Sequence, residues 1–151
     1  MAGLVRHPDV AGIVVVNAAA PPPDSISETA KALRALLDAG LFVIDGIGSD
    51  IALEGATELA YEQTPIEPLI SLLDHADEVA RGLGSITCPV LVMTSPQDHV
   101  VEPTQSDHIA ASVTGPVERV TLENSYHVAT LDHDAGVINE RAVAFAHQVT
   151  A

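Results

Sequence analysis

Two short runs of apolar, largely β-branched residues restrict what this chain can fold into more than any other feature. Residues 12–17 and 89–94 are almost continuously apolar. A strand that is covered on both faces, as in a parallel sheet, needs such a run, whereas a half-exposed strand alternates apolar and polar residues. Residues 119–123 do alternate, with Val120 and Leu122 on one face, which is typical of a strand near a sheet edge. The sequence therefore predicts three strands.

Helical patterns follow the second and the third of these strands. Pro103 can open a helix at its first position, and Asp134 is a plausible N-cap of another. The helix after Asp134 has an apolar face whose members recur at helical spacing: Ile138, Ala142, Phe145, Ala146 and Val149. Strands that alternate with helices at these lengths predict an α/β fold with right-handed crossovers and a parallel sheet.

The stretch between the first two strands is too long for an ordinary connection. It contains helical patterns at residues 27–39 and 66–83, separated by breaks at Gly46, Gly48 and Gly55. We therefore predict that residues 1–23 and 88–151 form the core of the α/β fold. Residues 24–87 are predicted to be a helical lid, or cap, that lies over the sheet and is not stable by itself.

Charge and composition exclude several classes of partner. The chain has 21 acidic against six basic residues and a net charge of −15, so nucleic acid and anionic membranes repel it. The lone Cys88 cannot form an internal disulfide. The apolar run at residues 10–20 is too short to span a bilayer, and nothing near Met1 resembles a secretory leader. We expect a cytoplasmic protein that needs no cofactor.

Polar residues follow two of the predicted strands at equal distances. Asp98 lies four positions after residues 89–94, and His127 lies four positions after residues 119–123. The carboxyl ends of parallel strands share one edge of the sheet, where ligand sites form. Asp98 and His127 can therefore meet there. A carboxylate beside an imidazole fixes the imidazole's tautomer and stabilises the imidazolium that forms during acyl transfer.

Each of these residues also has a structural interpretation. Asp98 alone would fit a turn or a helix cap, and His127 alone would fit a structural or surface histidine. Five of the seven histidines lie beyond Asp98, which raises the possibility of a metal site. No two histidines have the H-x-x-x-H spacing of helical metal ligands, so no metal is expected.

Four segments, at residues 7–17, 61–65, 88–103 and 124–132, resemble parts of one known family: the bacterial carboxylesterases and monoacylglycerol lipases of the α/β-hydrolase superfamily. Residues 88–103 resemble the family's acid-bearing segment, and residues 124–132 resemble its histidine loop. Residues 61–65 resemble part of the small helical lid, and residues 7–17 the strand after the nucleophile helix. The resemblance implies the C-terminal part of an α/β-hydrolase fold: three parallel strands, flanking helices and a helical cap insertion. The family's order, acid before histidine, is that of Asp98 and His127.

The resemblance also implies a serine nucleophile, which this sequence does not display. In the family that serine lies in a Gly-x-Ser-x-Gly turn upstream of the segment similar to residues 7–17, and the pattern occurs nowhere here. Ser49 and Ser85 lie beside glycine but at the wrong spacing. The oxyanion donors belong to the same absent region, and losing one donor costs about 10²–10³-fold in rate. We expect a fragment with the acid and the histidine but without the nucleophile.

Two functions from different classes follow. The first is a serine hydrolase that acts on a small ester or an acylglycerol, with His127 as general base and acid and Asp98 as its orienting partner. Its serine would come from a complementing N-terminal half, or from upstream of a mis-assigned start codon. The second is a catalytically inactive remnant that serves as a binding or assembly module. In either case, the strand at residues 13–17 would lack its neighbour toward the nucleophile, which predicts self-association.

Overall fold

The structure is a computed structural model that describes residues 9–22, 25 and 27–151. Within these residues the strands and α-helices follow one another in this order: β1 (Ile13–Val16), α1 (Ser27–Asp38), β2 (Val43–Asp45), β3 (Gln63–Pro65), α2 (Ile66–Gly82), β4 (Val90–Thr94), α3 (Thr104–Ser112), β5 (Val117–Thr121) and α4 (Ala135–Thr150). Residues 1–8, 23, 24 and 26, which belong to predicted segments, lie outside the described residues.

A parallel sheet with the strand order β1-β4-β5 forms the centre of the fold. This confirms the predicted α/β class and the three parallel strands. The central strand β4 is buried on both faces, which explains its continuous apolar run. The edge strand β5 begins and ends two residues earlier than predicted, because pairing starts directly after Pro116, whose carbonyl accepts the amide of Val90.

Helices cover both faces of this sheet. One face of the sheet, which includes Val15 and Val92, packs against three residues on the helical side: Val79 of α2, Leu83 directly after α2, and Ile109 of α3. On the other face, Ile138 and Phe145 of α4 belong to a second cluster, which includes the strand residues Leu91 and Met93. Such two-sided burial, about 25 cal/mol for each Å² of apolar surface, holds a sheet of only three strands together.

The two helices after β4 and β5 begin close to where they were predicted. Helix α3 begins at Thr104, one residue after Pro103. Asp134 does occupy the N-cap position of α4, but its carboxylate makes no capping bond. Instead it accepts hydrogen bonds from the amide of Asn124 and the hydroxyl of Ser125. The predicted N-cap position is confirmed, but the side chain makes no capping bond because it turns toward the histidine loop rather than toward its own helix.

The long insertion between β1 and β4 has a small core of its own. Leu33 of α1 packs with Ile66 and Ile70 of α2, and one guanidinium nitrogen of Arg34 lies 2.8–3.0 Å from the two carboxylate oxygens of Asp74. The two short strands β2 and β3 pair antiparallel. The segment that resembled a helical lid at residues 61–65 therefore contributes a strand, while the two predicted helices are present.

Candidate active site

The acid loop after β4 fixes one carboxylate in a defined orientation. One oxygen of Asp98, Oδ1, accepts the backbone amides of Val100 and Val101, both at 2.8 Å. The Asp98 side chain is only 2% exposed. Because the amides occupy Oδ1, the second oxygen, Oδ2, is directed toward the neighbouring histidine loop.

The histidine loop after β5 brings an imidazole to that second oxygen. Nδ1 of His127 lies 2.9 Å from Oδ2 of Asp98. The two residues that the sequence singled out therefore meet, as the shared edge of parallel strands predicts. The His127 side chain is 29% exposed, and its Nε2 has no hydrogen-bond partner among the described residues. An acid-bound Nδ1 and an accessible Nε2 are what proton transfer to and from a substrate requires.

A buried amide, that of Asn17, joins the end of β1 to both loops. Its Oδ1 accepts the amide of Ser95 at 2.8 Å. Its Nδ2 lies within 3.1 Å of three oxygens: the hydroxyl of Ser95 and the carbonyls of Tyr126 and His127. The backbone of Asn17 has a φ of 46°, a left-handed conformation that asparagine tolerates better than most residues.

Asp50, from the insertion, contacts both loops as well. Its Oδ2 accepts the amides of His127 at 3.0 Å and of His99 at 3.1 Å, and its Oδ1 lies 2.8 Å from Nδ1 of His99. Partial burial favours the neutral acid, but the hydrogen bonds from His127 and His99 outweigh it and hold the pKa of Asp50 below its ordinary value.

Two further carboxylates organise the histidine loop. Asp132 accepts four backbone amides, at 2.7–2.9 Å: Ala52, Leu53, Tyr126 and His133. Asp134 accepts hydrogen bonds from Asn124 and Ser125, at the start of that loop. Burial favours the neutral form of both, yet hydrogen bonds to the charged form lower the pKa of each below its ordinary value. For Asp132 these bonds come from backbone amides, and for Asp134 they come from the backbone and side chain of Asn124 and the hydroxyl of Ser125. Both side chains are therefore charged at neutral pH.

The two serines near the site are not placed as nucleophiles. Ser95 and Ser125 are both fully buried. The hydroxyl of Ser95 donates to the carbonyl of Tyr126, and that of Ser125 donates to Asp134. A nucleophile needs an adjacent base and access to substrate, and these hydroxyls serve internal hydrogen bonds instead.

The sequence analysis missed the roles of Asn17, Asp50 and Asp132. Asn17 offered one signal, a polar residue at the end of an apolar strand. Asp132 offered another, since it lies inside the segment that resembled a histidine loop. Asp50 offered none. Among the described residues, no group of three or more His, Cys, Asp and Glu side chains is arranged to hold a metal ion.

Comparisons with known proteins were made once this geometry was established. No protein-family model matches the chain. The chain is 40% identical over 144 residues to the thermostable monoacylglycerol lipase of Bacillus sp. (strain H-257), and the match covers 93% of this chain and 54% of that protein. A solved structure from the metagenome-derived lipolytic enzymes LipS and LipT is 40% identical with a TM-score of 0.80, covering 91% of this chain and 55% of that one.

A more distant structure shares the fold. Paleococcus ferrophilus monoacylglycerol lipase matches with a TM-score of 0.66 at 16% identity, over 92% of this chain and 59% of that one. The chain thus spans somewhat more than half the length of each of these three proteins. No helix in the described part of the chain is long and apolar enough to cross a membrane.

Proposed function

Since the chain belongs to the α/β-hydrolase superfamily, and within it to the lipase and esterase type, we propose that it supplies the acid and the histidine of a serine hydrolase. The relatives are lipolytic enzymes, so the proposed reaction is the hydrolysis of a carboxylic ester. The Bacillus relative is named a monoacylglycerol lipase, and a monoacylglycerol is accordingly the proposed substrate. The cytoplasmic location stays a prediction.

The observation that carries this proposal is the hydrogen bond of 2.9 Å between Nδ1 of His127 and Oδ2 of Asp98. Nε2 of His127 would accept the hydroxyl proton of a serine as the serine oxygen bonds to the ester carbonyl carbon. The same proton would pass to the departing alcohol as its C–O bond breaks. A water molecule would then give a proton to Nε2 and attack the acyl carbon, and the proton would pass to the serine oxygen as its bond to the acyl carbon breaks.

The serine and the oxyanion donors are proposed to lie in the part of the hydrolase fold that this chain does not span. The sequence contains no Gly-x-Ser-x-Gly, and the relatives are matched over little more than half their length. Within the described residues β1 has a strand neighbour on one side only, which is β4. A serine-bearing polypeptide could pair with the free side of β1, and the same edge would otherwise favour self-association. In this proposal residues 24–87 are the cap over the substrate pocket.

A chimeric enzyme tests the proposal. The part of the Bacillus lipase that this chain does not match would be joined to the 151 residues, and hydrolysis of a monoacylglycerol would be measured. We expect activity that falls by about 10⁴-fold or more in His127→Ala, because the general base is lost. We expect a similar loss, about 10⁴-fold, in Asp98→Asn, because the imidazole then takes the wrong tautomer.

His147→Ala is the matched control, because His147 lies exposed on α4. Its activity should equal that of the unaltered chimera. A chimera that folds, as judged by a cooperative melt, but hydrolyses nothing would favour the alternative of a non-catalytic binding or assembly module. Activity that survives His127→Ala would contradict the proposed role of that residue.

A further inference from the structure

Asp50, a residue of the insertion, contacts both the acid loop after β4 and the histidine loop after β5. Its contacts are at His127 itself and at His99, the residue after Asp98. We propose that Asp50 is a positioning residue that holds the acid loop and the histidine loop at the separation the Asp98–His127 hydrogen bond requires. This inference rests on the proposed function for its catalytic meaning. Its geometry stands independently of whether a serine is supplied.

Four hydrogen bonds connect Asp50 to the loops. Three involve its carboxylate: one with the amide of His127 and two with His99, the residue directly after Asp98. The fourth joins its backbone carbonyl to the amide of Val128 at 3.1 Å. Two of the four bonds therefore reach the acid loop and two reach the histidine loop. Asp50 is 49 residues from His99 and 77 from His127 along the chain. It therefore adds to the direct bond between Ser95 and Tyr126 a link through a segment distant from both loops.

The surroundings make these bonds effective. The side chain of Asp50 is only 14% exposed, so water screens the carboxylate less than it would at the surface. The ring of His99 also packs edge-on against Tyr126, with 4.6 Å between ring centres. The carboxylate thus fixes a ring that itself touches the residue before His127. Moving Asp50 would disturb both partners of the Asp98–His127 pair, which we call the dyad, together.

Asp132 provides a useful contrast. It too joins the insertion to the histidine loop, through the amides of Ala52, Leu53 and Tyr126. It has no hydrogen bond to the acid loop among the described residues. Asp132 therefore anchors one loop, whereas Asp50 sets the distance between two. This difference is why we assign the positioning role to Asp50.

Proton NMR of the 151-residue chain tests the assignment without any enzymatic activity. The Nδ1 proton of His127, bound to a carboxylate, gives a resonance far downfield, which Asp98→Asn should abolish. We expect Asp50→Ala to abolish or broaden the same resonance, because the loops then separate. We expect Asp50→Asn to retain it, since an amide oxygen can accept the two backbone amides and the amide nitrogen can donate to the other tautomer of His99.

Asp74→Ala is the matched control, because Asp74 is also an acidic residue of the insertion with an ion-pair partner, Arg34, but it does not contact the loops. It should change the melting temperature only slightly, because both side chains of that ion pair are about half exposed, and it should leave the downfield resonance unchanged. A retained resonance in a folded Asp50→Ala chain would overturn the proposal. So would its equal loss in Asp50→Asn, which would show that charge rather than position matters.

A second measurement keeps the assignment testable if Asp50→Ala does not fold. In the unaltered chain, the amides of His99 and His127 should exchange with solvent slowly and at similar rates, since one carboxylate binds both. Rapid exchange of both amides while β4 stays protected would overturn the proposal. A downfield resonance that survives Asp98→Asn would instead count against the dyad, and hence against the proposed function, so the two failures can be told apart.

Discussion

Replacing Asn17 tests whether the loops that carry Asp98 and His127 depend on one buried amide. Asn17→Gly removes the side chain but permits the φ of 46° without strain. It leaves the amide of Ser95 and the carbonyl of His127 without partners, while the carbonyl of Tyr126 keeps the hydroxyl of Ser95. A buried polar group that loses its partner costs about 1–3 kcal/mol. We therefore expect the free energy of unfolding to fall by about 2–6 kcal/mol for the two groups.

Asn17→Ala adds a second, separable effect. Alanine loses the same hydrogen bonds, but its Cβ also makes the left-handed conformation unfavourable by about 1–2 kcal/mol. The alanine variant should therefore be less stable than the glycine variant, although a Gly→Ala change at an unstrained position stabilises a protein. The difference between the two variants reports the backbone conformation, and the loss in Asn17→Gly reports the hydrogen bonds.

Urea denaturation followed by far-UV circular dichroism measures both quantities. The control is Asn139→Ala, an exposed asparagine on α4, which should change stability by no more than about 0.5 kcal/mol. A loss below about 1 kcal/mol in Asn17→Gly with an unchanged slope against urea would refute the hydrogen-bond argument. An alanine variant more stable than the glycine variant would refute the argument from φ.

Acid should destabilise the chain below the ordinary aspartate pKa of 3.8, because three carboxylates titrate at lower pH when folded than when unfolded: Asp50, Asp132 and Asp134. The unfolded chain then takes up protons first as the pH falls, so a urea midpoint that does not change between pH 5.5 and pH 3 would contradict the shifts. The 151-residue chain alone should hydrolyse p-nitrophenyl butyrate no faster than its His127→Ala variant. Hydrolysis that a fluorophosphonate blocks and that His127→Ala abolishes would show a nucleophile within these residues. A polypeptide of residues 24–87 should not melt cooperatively, since its own apolar cluster is small; a sharp calorimetric transition would refute this. At micromolar concentration the chain should sediment as an associated species, because among the described residues the β-branched strand β1 has a strand neighbour on one side only. A monomer with slow amide exchange throughout β1 would show that the edge is covered.

The sheet and the dyad were predictable because their signals are local in sequence. The continuous apolar run that became β4 can be satisfied only by burial on both faces. Parallel strands place their carboxyl ends at one edge, so Asp98 and His127 had to approach each other once the strands were recognised. The apolar pattern of the strands and their parallel arrangement were therefore enough to predict that Nδ1 of His127 approaches Oδ2 of Asp98.

The residues around the dyad were not predictable, because their partners are backbone amides in distant segments. Asp50 and Asp132 bind main-chain groups, which every residue possesses and which leave no trace in the sequence. The pairing of β2 with β3 was missed for a related reason. Each strand has only three residues, and no tight turn joins them. Asp134 was predicted to accept a hydrogen bond from an amide of its own helix, but its carboxylate accepts hydrogen bonds from Asn124 and Ser125 instead.

The order in which the strands pair has a consequence for how the site is assembled during folding. Val90 pairs with Val117, 117 − 90 = 27 positions away, whereas Ile13 pairs with Val90 across 90 − 13 = 77 positions. Closing the longer loop costs about 0.9 kcal/mol more in chain entropy. We therefore expect β4 and β5 to pair first and β1 to join them late. Since β1 brings Asn17 to the carboxyl ends of the other strands, the loops that carry the acid and the histidine reach their final arrangement only in the last step of folding.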